Sequence, residues 1–401
     1  MQPDMKILFI TTSLNPGKDG VGDYTRDLAR ECIRQGHTCA AVALNEHGLD
    51  AAILEPQSKP RELRLPASMT WESRFAQARK FIEEFNPTWI SFQFVCFGFH
   101  PKGILWGLQR PLLSLAAGFK THLMLHELWI GDDCGAPFKQ RLLGRIQKFF
   151  VLSFIRALKP SLIHTSNSAY VALLKSCGLQ ASRLPLYGAV PVSTEPDSKW
   201  YRPVFRDAGL DITDENRDRF WIFGMFGSLH PVWPPEPLFG NLEQNAKLHG
   251  KELVIAAAGR LGPGQDLWAR LAADYAGRIK FVYMGERPTR ELSEFFKFID
   301  FGISATPYDI VGKSASGAAM IEHGVPLIVN RTAQHFRNYV NKDADAHPCI
   351  IKMDSDLPQR LTQIKRAAPC STLAVITQQF ITGLDLQSRQ ALKPALQTVP
   401  A

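Results

Sequence analysis

The chain has 401 residues, more than one hydrophobic core usually organises, so two domains of roughly 200 residues each are expected. Hydrophobic residues make up 45% and charged residues 21%, which is typical of a globular protein and excludes a low-complexity, collagen-like or tandem-repeat chain. The net charge of +8 favours acidic partners, which include nucleic acid, an anionic membrane and phosphorylated small molecules.

The cysteines and the lengths of the apolar runs indicate the cellular compartment. The seven cysteines are widely scattered and form none of the close pairs of zinc sites or redox motifs, so free thiols in a reducing compartment are expected. The first residues read as a buried strand rather than a secretory signal. No apolar stretch reaches the roughly 18 residues needed to span a bilayer. We therefore expect a cytoplasmic protein.

The opening of the chain predicts a βαβ unit of a parallel sheet. An apolar, β-branched run at 6–11 predicts a strand, which a glycine-rich loop connects to a helix at about 23–35 and a strand at 39–44. Further strands of the first domain are predicted at 89–94, 122–126 and 162–165.

A Pro-, Asp- and Arg-rich stretch at 184–218 interrupts this pattern and predicts a connection between domains. A second series of strands is predicted at 220–226, 253–258, 279–284, 301–305 and 327–329. Two alternating α/β series predict two Rossmann-like domains with parallel sheets facing a central cleft, which holds the ligands beyond the carboxyl ends of the strands. The expected divisions are an N-terminal domain at 1–190, a linker region at 191–218, a C-terminal domain at 219–385 and a tail at 386–401.

The glycine-rich loop before the first helix has two interpretations. Gly20 and Gly22, together with Gly17, leave backbone N–H groups accessible near the positive end of the helix, which suits an anion or a sugar hydroxyl. A tight strand-to-helix turn explains the same glycines, because their spacing is not that of the dinucleotide fingerprint.

A second loop, at 306–318, indicates phosphate binding. It combines accessible backbone, hydroxyls and a cation with the N-terminus of the following helix, and the residues concerned are Gly312, Lys313, Ser314, Ser316 and Gly317. The spacing is not that of a Walker loop, which disfavours magnesium-dependent nucleotide hydrolysis. The alternative is a helix cap by Ser314 or Ser316.

Several motifs occur in an order that resembles bacterial GT-B glycosyltransferases of family four. They are GVGDYT, QGH, SFQF with Gln93, LHELW with His126 and Glu127, HTSNSA with Ser166, FGMFGSL, AAAGRLGPG and HGVPLIV. The resemblance extends to about Arg331 and implies the GT-B fold, a nucleoside diphosphate sugar as donor, and a place in polysaccharide biosynthesis.

His126 ends a predicted strand and Glu127 follows it, and both are candidates for the reacting site. A neutral imidazole there suits a hydrogen bond to a sugar hydroxyl, and a structural histidine is the alternative. If the enzyme inverts configuration, His126 or Glu127 is the first candidate for the general base. The sequence does not decide between inversion and retention.

The chain departs from the family where its members carry two Glu separated by seven residues. Those positions hold Val311 and Ala319, so Asp309, as a catalytic candidate, and Glu322, as a donor contact, are the nearby carboxylates that we expect to substitute. The family's Arg and Lys against the donor phosphates are also missing, since Ser228 and His230 stand there. Arg260, after another predicted strand, is either their replacement or a surface arginine.

Residues 139–159 combine basic and apolar side chains in a helical pattern. The pattern fits two structures: a peripheral helix on an anionic membrane, or a surface helix whose apolar stripe faces the core, which is slightly favoured.

The residues and the resemblance together predict a hexosyltransferase that acts on a glycan, lipid-linked or small-molecule acceptor without a metal or cofactor. The first alternative is a catalytically inactive GT-B protein that binds a glycan, nucleotide or partner, which the missing Glu pair favours. The second is a nucleotide-sugar epimerase. Nucleic-acid binding is not expected, because outside 139–159 there is no concentrated basic run.

Overall fold

The computed structural model describes residues 4–333, 335, 336, 339 and 345–392. The chain forms two compact units: unit 1 comprises residues 1–185, 336–340 and 373–401, and unit 2 comprises residues 186–335 and 341–372.

Unit 1 contains an eight-stranded sheet in the order β3-β4-β2-β1-β5-β6-β7-β8, in which every neighbouring pair is parallel except β3 with β4. Strands β1 and β5 are almost completely buried, as expected for central parallel strands covered on both faces. In chain order its elements are β1 (Lys6–Thr11), α1 (Gly20–Arg34), β2 (Thr38–Glu46), β3 (Ile53–Glu55), β4 (Arg61–Pro66), α2 (Trp71–Phe85), β5 (Trp89–Phe94), α3 (Cys96–Phe99), α4 (Gln109–Leu115), β6 (Lys120–Leu125), α5 (Phe138–Leu158), β7 (Leu162–Thr165), α6 (Ser168–Ser176) and β8 (Ser182–Arg183).

Unit 2 contains a six-stranded parallel sheet in the order β11-β10-β9-β12-β13-β14. Two apolar clusters, one on each face, cover this sheet. The elements of unit 2 are α7 (Tyr201–Asp207), β9 (Phe220–Phe226), α8 (Leu238–Leu248), β10 (Glu252–Ala258), α9 (Gln265–Asp274), β11 (Lys280–Gly285), α10 (Thr289–Phe298), β12 (Phe301–Ser304), α11 (Ala315–Glu322), β13 (Leu327–Val329), β14 (Ile350–Lys352) and α12 (Leu357–Gln363).

The division into units differs from the predicted boundaries at two places. The region predicted as a linker carries α7, and Tyr201, Phe205 and Leu210 are buried in an apolar cluster of unit 2. The last helix, α13 (Leu373–Leu392), belongs to unit 1, although residues up to 385 were expected in the C-terminal domain. Burial of an apolar face explains this, since the Phe380 ring lies 6.0 Å from that of Phe9.

The predicted tail at 386–401 begins inside this helix, which continues to Leu392. Its remaining residues, 393–401, lie outside the described part of the chain.

The predicted strands are confirmed in place. Those at 6–11, 89–94, 162–165, 220–226 and 327–329 have identical bounds in the structure. The others differ by one or two residues at one or both ends, and His126 lies just beyond β6 rather than inside it.

Candidate functional site

In unit 2 a small cavity of about 30 Å³ lies at the carboxyl ends of β9 and β12. The residues after these two strands form one side of it, and the start of α11 forms another. Besides apolar side chains, its lining consists of Gly227, Ser228, Ser304, Ala305, Thr306, Ser314, Ser316 and Gly317. This is the edge of an open parallel sheet at which ligands bind in α/β proteins.

Gly227 allows the loop after β9 to approach α11. Its φ of +82° lies in the left-handed region, and its N–H donates to the carbonyl of Ala258 at 3.0 Å. A Cβ added at this position would lie 3.8 Å from the Cβ of Ser316. A side chain larger than hydrogen would therefore begin to fill the space between the loop and the helix.

The start of α11 carries two of the polar side chains that line the cavity, Ser314 and Ser316. Ser314 is the N-cap, since its Oγ accepts a hydrogen bond from the N–H of Gly317 at 3.0 Å. Its hydroxyl is also 3.0 Å from that of Ser316. The proposed cap by Ser314 is therefore present, and it does not exclude a ligand, because a helix N-terminus presents several N–H groups and a positive dipole end.

Gly312 and Lys313 precede this turn in a short 3₁₀ helix at Tyr308–Lys313. Both are partly exposed. Among the described residues that line the cavity, neither is present. Of the predicted phosphate loop, Ser314, Ser316 and Gly317 therefore line the cavity. Gly312 and Lys313 are close to these residues in sequence but do not line it.

The carboxylates of Asp309 and Glu322 bind backbone and side-chain groups of unit 2. Asp309 is 6% exposed and accepts from the N–H of His335 at 2.8 Å. Glu322 is 4% exposed and accepts from the N–H and the hydroxyl of Thr372. Neither of them is among the residues that line the cavity.

The two positions at which the resembled family carries Glu are both buried and apolar. Val311 is 5% exposed and Ala319 is fully buried. The backbone of Ala319 packs closely on Gly188, where an added Cβ would lie 2.7 Å from the Cα of Ala319. No carboxylate therefore stands at either position, in agreement with the sequence.

Arg260 follows β10 and forms an exposed ion pair with Glu286, with 3.3 Å between Nε and Oε2. Exposed pairs of this kind add little stability. Arg260 is not among the described residues that line the cavity, whereas Ser228, at the position where the resembled family is expected to carry Arg, is.

In unit 1, His126 is part of a buried hydrogen-bonded pair. Its Nε2 is 2.8 Å from Oε1 of Gln93, and its ring packs edge-to-face on Tyr24 at 4.9 Å. Burial lowers the pKa of His126 to about 3. The imidazole is therefore neutral near pH 7, which suits a hydrogen-bonding role and disfavours a general base.

Glu127 is half-buried next to His126. Burial, assisted by the charge of Glu127, raises the pKa of the Cys96 thiol to about 12. Cys96 is therefore a neutral thiol, and the electrostatic influence of Glu127 reaches the short helix after β5.

From Gln93 a series of side-chain hydrogen bonds continues across the neighbouring strands of the sheet. Gln93 donates to Ser91 at 2.8 Å, Ser91 contacts Nδ1 of His122 at 2.8 Å, and Nε2 of His122 lies 3.1 Å from Nδ1 of His164. This network was not predicted from the sequence, although polar residues inside three apolar strands were a visible signal. In the same way, Ser304 and Ala305, at the end of a predicted strand, and Thr306, directly after it, were not predicted as site residues.

At the start of α1 two carboxylates of the chain accept hydrogen bonds from backbone N–H groups of the glycine-rich loop. The Asp19 carboxylate accepts from the N–H of Gly22 at 2.6 Å, and the Asp23 carboxylate accepts from the N–H of Gly17. A Cβ at Gly22 would lie 2.5 Å from the carbonyl oxygen of Ser13. The geometry at Gly22 thus fits a tight strand-to-helix turn, whereas Gly20 has open space around it.

Two further findings concern metals and membranes. Among the described residues no group of three or more His, Cys, Asp and Glu side chains is placed to hold a metal ion. In the same part of the chain, none of the helices combines the length and apolar character needed to cross a bilayer.

No protein-family model matches the sequence, and no curated protein matches it either. Solved structures do match over nearly the whole chain. The α,α-trehalose 6-phosphate synthase of Burkholderia multivorans is 11% identical with a TM-score of 0.56, and all of both chains is covered. The sucrose-phosphate synthase of Thermosynechococcus elongatus is 12% identical with a TM-score of 0.55, covering 98% of this chain and 100% of that one. Anabaena HepE in complex with UDP is 15% identical with a TM-score of 0.53, covering 97% and 100%.

These structures show the fold: the chain has the GT-B fold, which these glycosyltransferase structures share, and the predicted fold is confirmed. Identities this low establish the fold and leave the reaction to be argued from the site.

Proposed function

We propose that the protein is a glycosyltransferase that transfers a hexose from a nucleoside diphosphate sugar to an acceptor. The observation that carries this proposal is the cavity of unit 2, where two serine hydroxyls and the N-terminus of α11 converge at the carboxyl ends of β9 and β12. Hydroxyl donors beside a helix N-terminus bind the oxygens of a diphosphate through hydrogen bonds and the helix dipole.

The chemistry follows from the charge that develops on the leaving group. When the sugar–oxygen bond breaks, the departing diphosphate gains negative charge, and fixed N–H and hydroxyl donors stabilise it without reorganisation. Lys313 adds a cation close in sequence to these donors. We therefore propose a metal-independent reaction in which Ser314, Ser316 and Gly317 hold the diphosphate.

We propose that the acceptor binds unit 1, where the Gln93–His126 pair lies at the carboxyl ends of two central strands. A neutral imidazole and a carboxamide recognise hydroxyl groups, which suits a sugar acceptor, free or lipid-linked. We place this reaction in cytoplasmic polysaccharide biosynthesis. HepE is described in complex with UDP and with UDP-glucose, so uridine nucleotides are the first donors to test.

A second candidate is a catalytically inactive GT-B protein that binds a nucleotide or glycan. It is favoured by the buried apolar residues Val311 and Ala319 and by the structural hydrogen bonds of Asp309 and Glu322. An epimerase is a third candidate, because a UDP-GlcNAc 2-epimerase of Methanocaldococcus jannaschii has the same fold with a TM-score of 0.53 at 9% identity.

The test titrates UDP, ADP and GDP against the full chain and follows the thermal midpoint, then incubates the corresponding nucleotide sugars and follows their hydrolysis or conversion. Binding with release of nucleoside diphosphate supports the transferase. Binding without turnover indicates the inactive protein, and sugar conversion without acceptor indicates the epimerase.

A pair of variants localises the binding. Ser316→Asp places a carboxylate in the cavity and is expected to abolish nucleoside diphosphate binding, whereas Ser316→Ala removes one hydroxyl and is expected to weaken it only a few-fold. Equal binding by wild type and Ser316→Asp would rule out this cavity as the diphosphate site.

A further inference from the structure

Helix α5 has a buried face and an exposed apolar face. The residues of its buried face are Gly144, Gln147, Val151, Leu152, Phe154 and Ile155. On the opposite side the exposed fractions are 72% for Phe138, 51% for Leu142, 40% for Ile146 and 67% for Phe149. The spacing of four, four and three residues puts these side chains on one stripe. The apolar pattern predicted for 139–159 therefore serves both the core and the surface.

A cationic cavity adjoins the exposed stripe. Its volume is about 270 Å³, and α5 contributes Arg141, Arg145 and Lys148 to its wall. These residues also repeat at helical spacing, and at about 100° per residue they lie on the flank next to the apolar stripe. The loop before α5 contributes Gly131 and Asp132, and α6 contributes Ser176.

Buried hydrogen bonds fix this loop against the helix. The fully buried Gln147 accepts from the N–H of Ile130 at 3.0 Å and donates to the carbonyl of Lys102 at 2.8 Å. The indole N–H of Trp129 donates to Asp132, and the Lys148 ammonium lies 4.9 Å from the centre of the Trp129 ring. The wall of the cavity is thus built by packed and hydrogen-bonded groups.

The charges of the cavity do not cancel. Lys148 lies 3.9 Å from the carboxylate of Asp132. Within the described residues, neither Arg141 nor Arg145 has a carboxylate within 4.0 Å, and residues 138–158 contain no acidic side chain. Two guanidinium groups are left to face an anion, and their planar fork geometry matches phosphate oxygens.

Exposed aromatic surface continues beyond the helix. Trp106 is 81% exposed, and its ring packs against Phe150 at 6.1 Å between centroids. Contiguous exposed apolar surface of this kind marks an interaction site, and Trp, Phe and Leu beside Arg and Lys are typical of helices that lie in a membrane interface.

We infer that the cavity and the exposed stripe of α5 form a binding site for an acidic phospholipid at a membrane surface. The phosphate of the headgroup occupies the cavity between Arg141 and Arg145. The stripe from Phe138 to Phe149 enters the boundary between headgroups and acyl chains. A soluble phosphate ester satisfies the arginines but leaves four exposed apolar side chains unexplained, which is why a lipid is the occupant.

This inference goes beyond the proposed function and does not depend on it. The lipid site involves α5 in unit 1, whereas the diphosphate cavity lies in unit 2, so the failure of one leaves the other standing.

The test measures sedimentation of the full chain with vesicles of pure phosphatidylcholine and with vesicles that contain phosphatidylglycerol. Binding is expected only to the acidic vesicles and is expected to weaken with salt. Removal of one interfacial cation weakens such binding about fivefold, so the double variant Arg141→Ser/Arg145→Ser is expected to lose roughly thirtyfold.

Two further variants separate the contributions. Leu142→Ser/Phe149→Ser removes exposed apolar groups and is expected to reduce vesicle binding at least tenfold without changing the thermal midpoint. Lys247→Ser/Arg270→Ser removes the same charge from exposed positions of unit 2 and is expected to bind vesicles as the wild type does.

Three results would overturn the inference: no binding to acidic vesicles, an equal loss in the unit 2 control, or unchanged binding after the α5 substitutions. Arginine-dependent binding of soluble glycerol 1-phosphate without vesicle binding would assign the cavity to a soluble ligand and overturn the lipid.

Discussion

The carboxylate of Glu322 accepts hydrogen bonds from both the N–H and the hydroxyl of Thr372, 50 residues further along the chain. Glu322 is 4% exposed, so this carboxylate is largely removed from water and depends on Thr372 for its hydrogen bonds. The contact fixes the end of unit 2 directly before α13. It gives Glu322 a structural role in the position where the sequence suggested a donor contact.

Substitution Glu322→Ala is therefore expected to lower the free energy of unfolding by about 1–3 kcal/mol, because the N–H and the hydroxyl of the partly buried Thr372 lose their acceptor. Thr372→Val removes only the hydroxyl and is expected to cost about 1 kcal/mol. Urea denaturation followed by circular dichroism measures both. Nucleoside diphosphate affinity is expected to stay at the wild-type value in each. A loss of affinity with full stability would instead make Glu322 a donor contact.

The N-cap of α11 allows stability and phosphate binding to be separated at one position. Ser314→Ala removes the acceptor of the Gly317 N–H and is expected to cost about 0.5–2 kcal/mol of stability. Ser314→Asp keeps a capping oxygen and a favourable charge at the helix N-terminus, so its stability is expected to match the wild type.

In ligand binding the two Ser314 variants are expected to rank in the opposite order to their stabilities. The carboxylate of Ser314→Asp repels a diphosphate in the cavity, so calorimetric titration with UDP is expected to show a larger loss for Asp than for Ala. Stronger UDP binding by the Asp variant would contradict a phosphate site at this turn.

The continuously apolar strands were predictable, whereas β4, which lies next to the edge strand β3, was not. Strand β4 contains Arg61, Glu62 and Arg64, so it has no continuous apolar run that would predict a strand. In the structure Glu62 pairs with Arg26 at 2.7 Å and Arg64 pairs with Glu46 at 3.2 Å. Partners that lie 36 and 18 residues away in sequence neutralise these buried charges, and periodicity holds no information about such partners.

The candidate site was also predictable only in part. Residues that follow a strand or begin a helix, such as Ser314 and Ser316, reach the cavity because the backbone alone directs them there. The roles of Asp309 and Glu322 depend on His335 and Thr372, which only the tertiary fold brings near. A carboxylate close to a motif in sequence is thus weak support for a place in the site.

Lys313 provides a test of the electrostatic part of the mechanism. If its ammonium offsets the charge of the leaving diphosphate, Lys313→Ala is expected to lower kcat for donor hydrolysis about 100-fold, a loss typical of one oxyanion-stabilising group. Lys313→Arg keeps the charge and is expected to retain most of the rate. Thermal denaturation checks that the fold is intact. An unchanged kcat in Lys313→Ala would remove this residue from the mechanism.

The buried histidines of unit 1 predict that its stability falls in mild acid. Burial lowers the pKa of His164 to about 4 and that of His126 to about 3, and it holds the pKa of His122 well below its usual range. The unfolded chain takes up these protons near pH 6.5, whereas the folded chain does so only at lower pH. Stability is therefore unaffected above pH 6.5 and declines as the pH falls from 6.5 toward 4.

The decline is about 1.4 kcal/mol per pH unit for each such histidine, hence about 2 kcal/mol per histidine between pH 6.5 and pH 5. Thermal midpoints between pH 7.5 and pH 5 measure it. His164→Asn keeps a hydrogen-bonding group next to His122 and is expected to flatten the dependence by one histidine's share, whereas His47→Asn, at an exposed position of the same unit, is expected to leave it unchanged. Equal slopes for the wild type and His164→Asn would mean that the buried chain from Ser91 to His164 takes up protons without unfolding, so its neutral state would not be what stabilises the sheet.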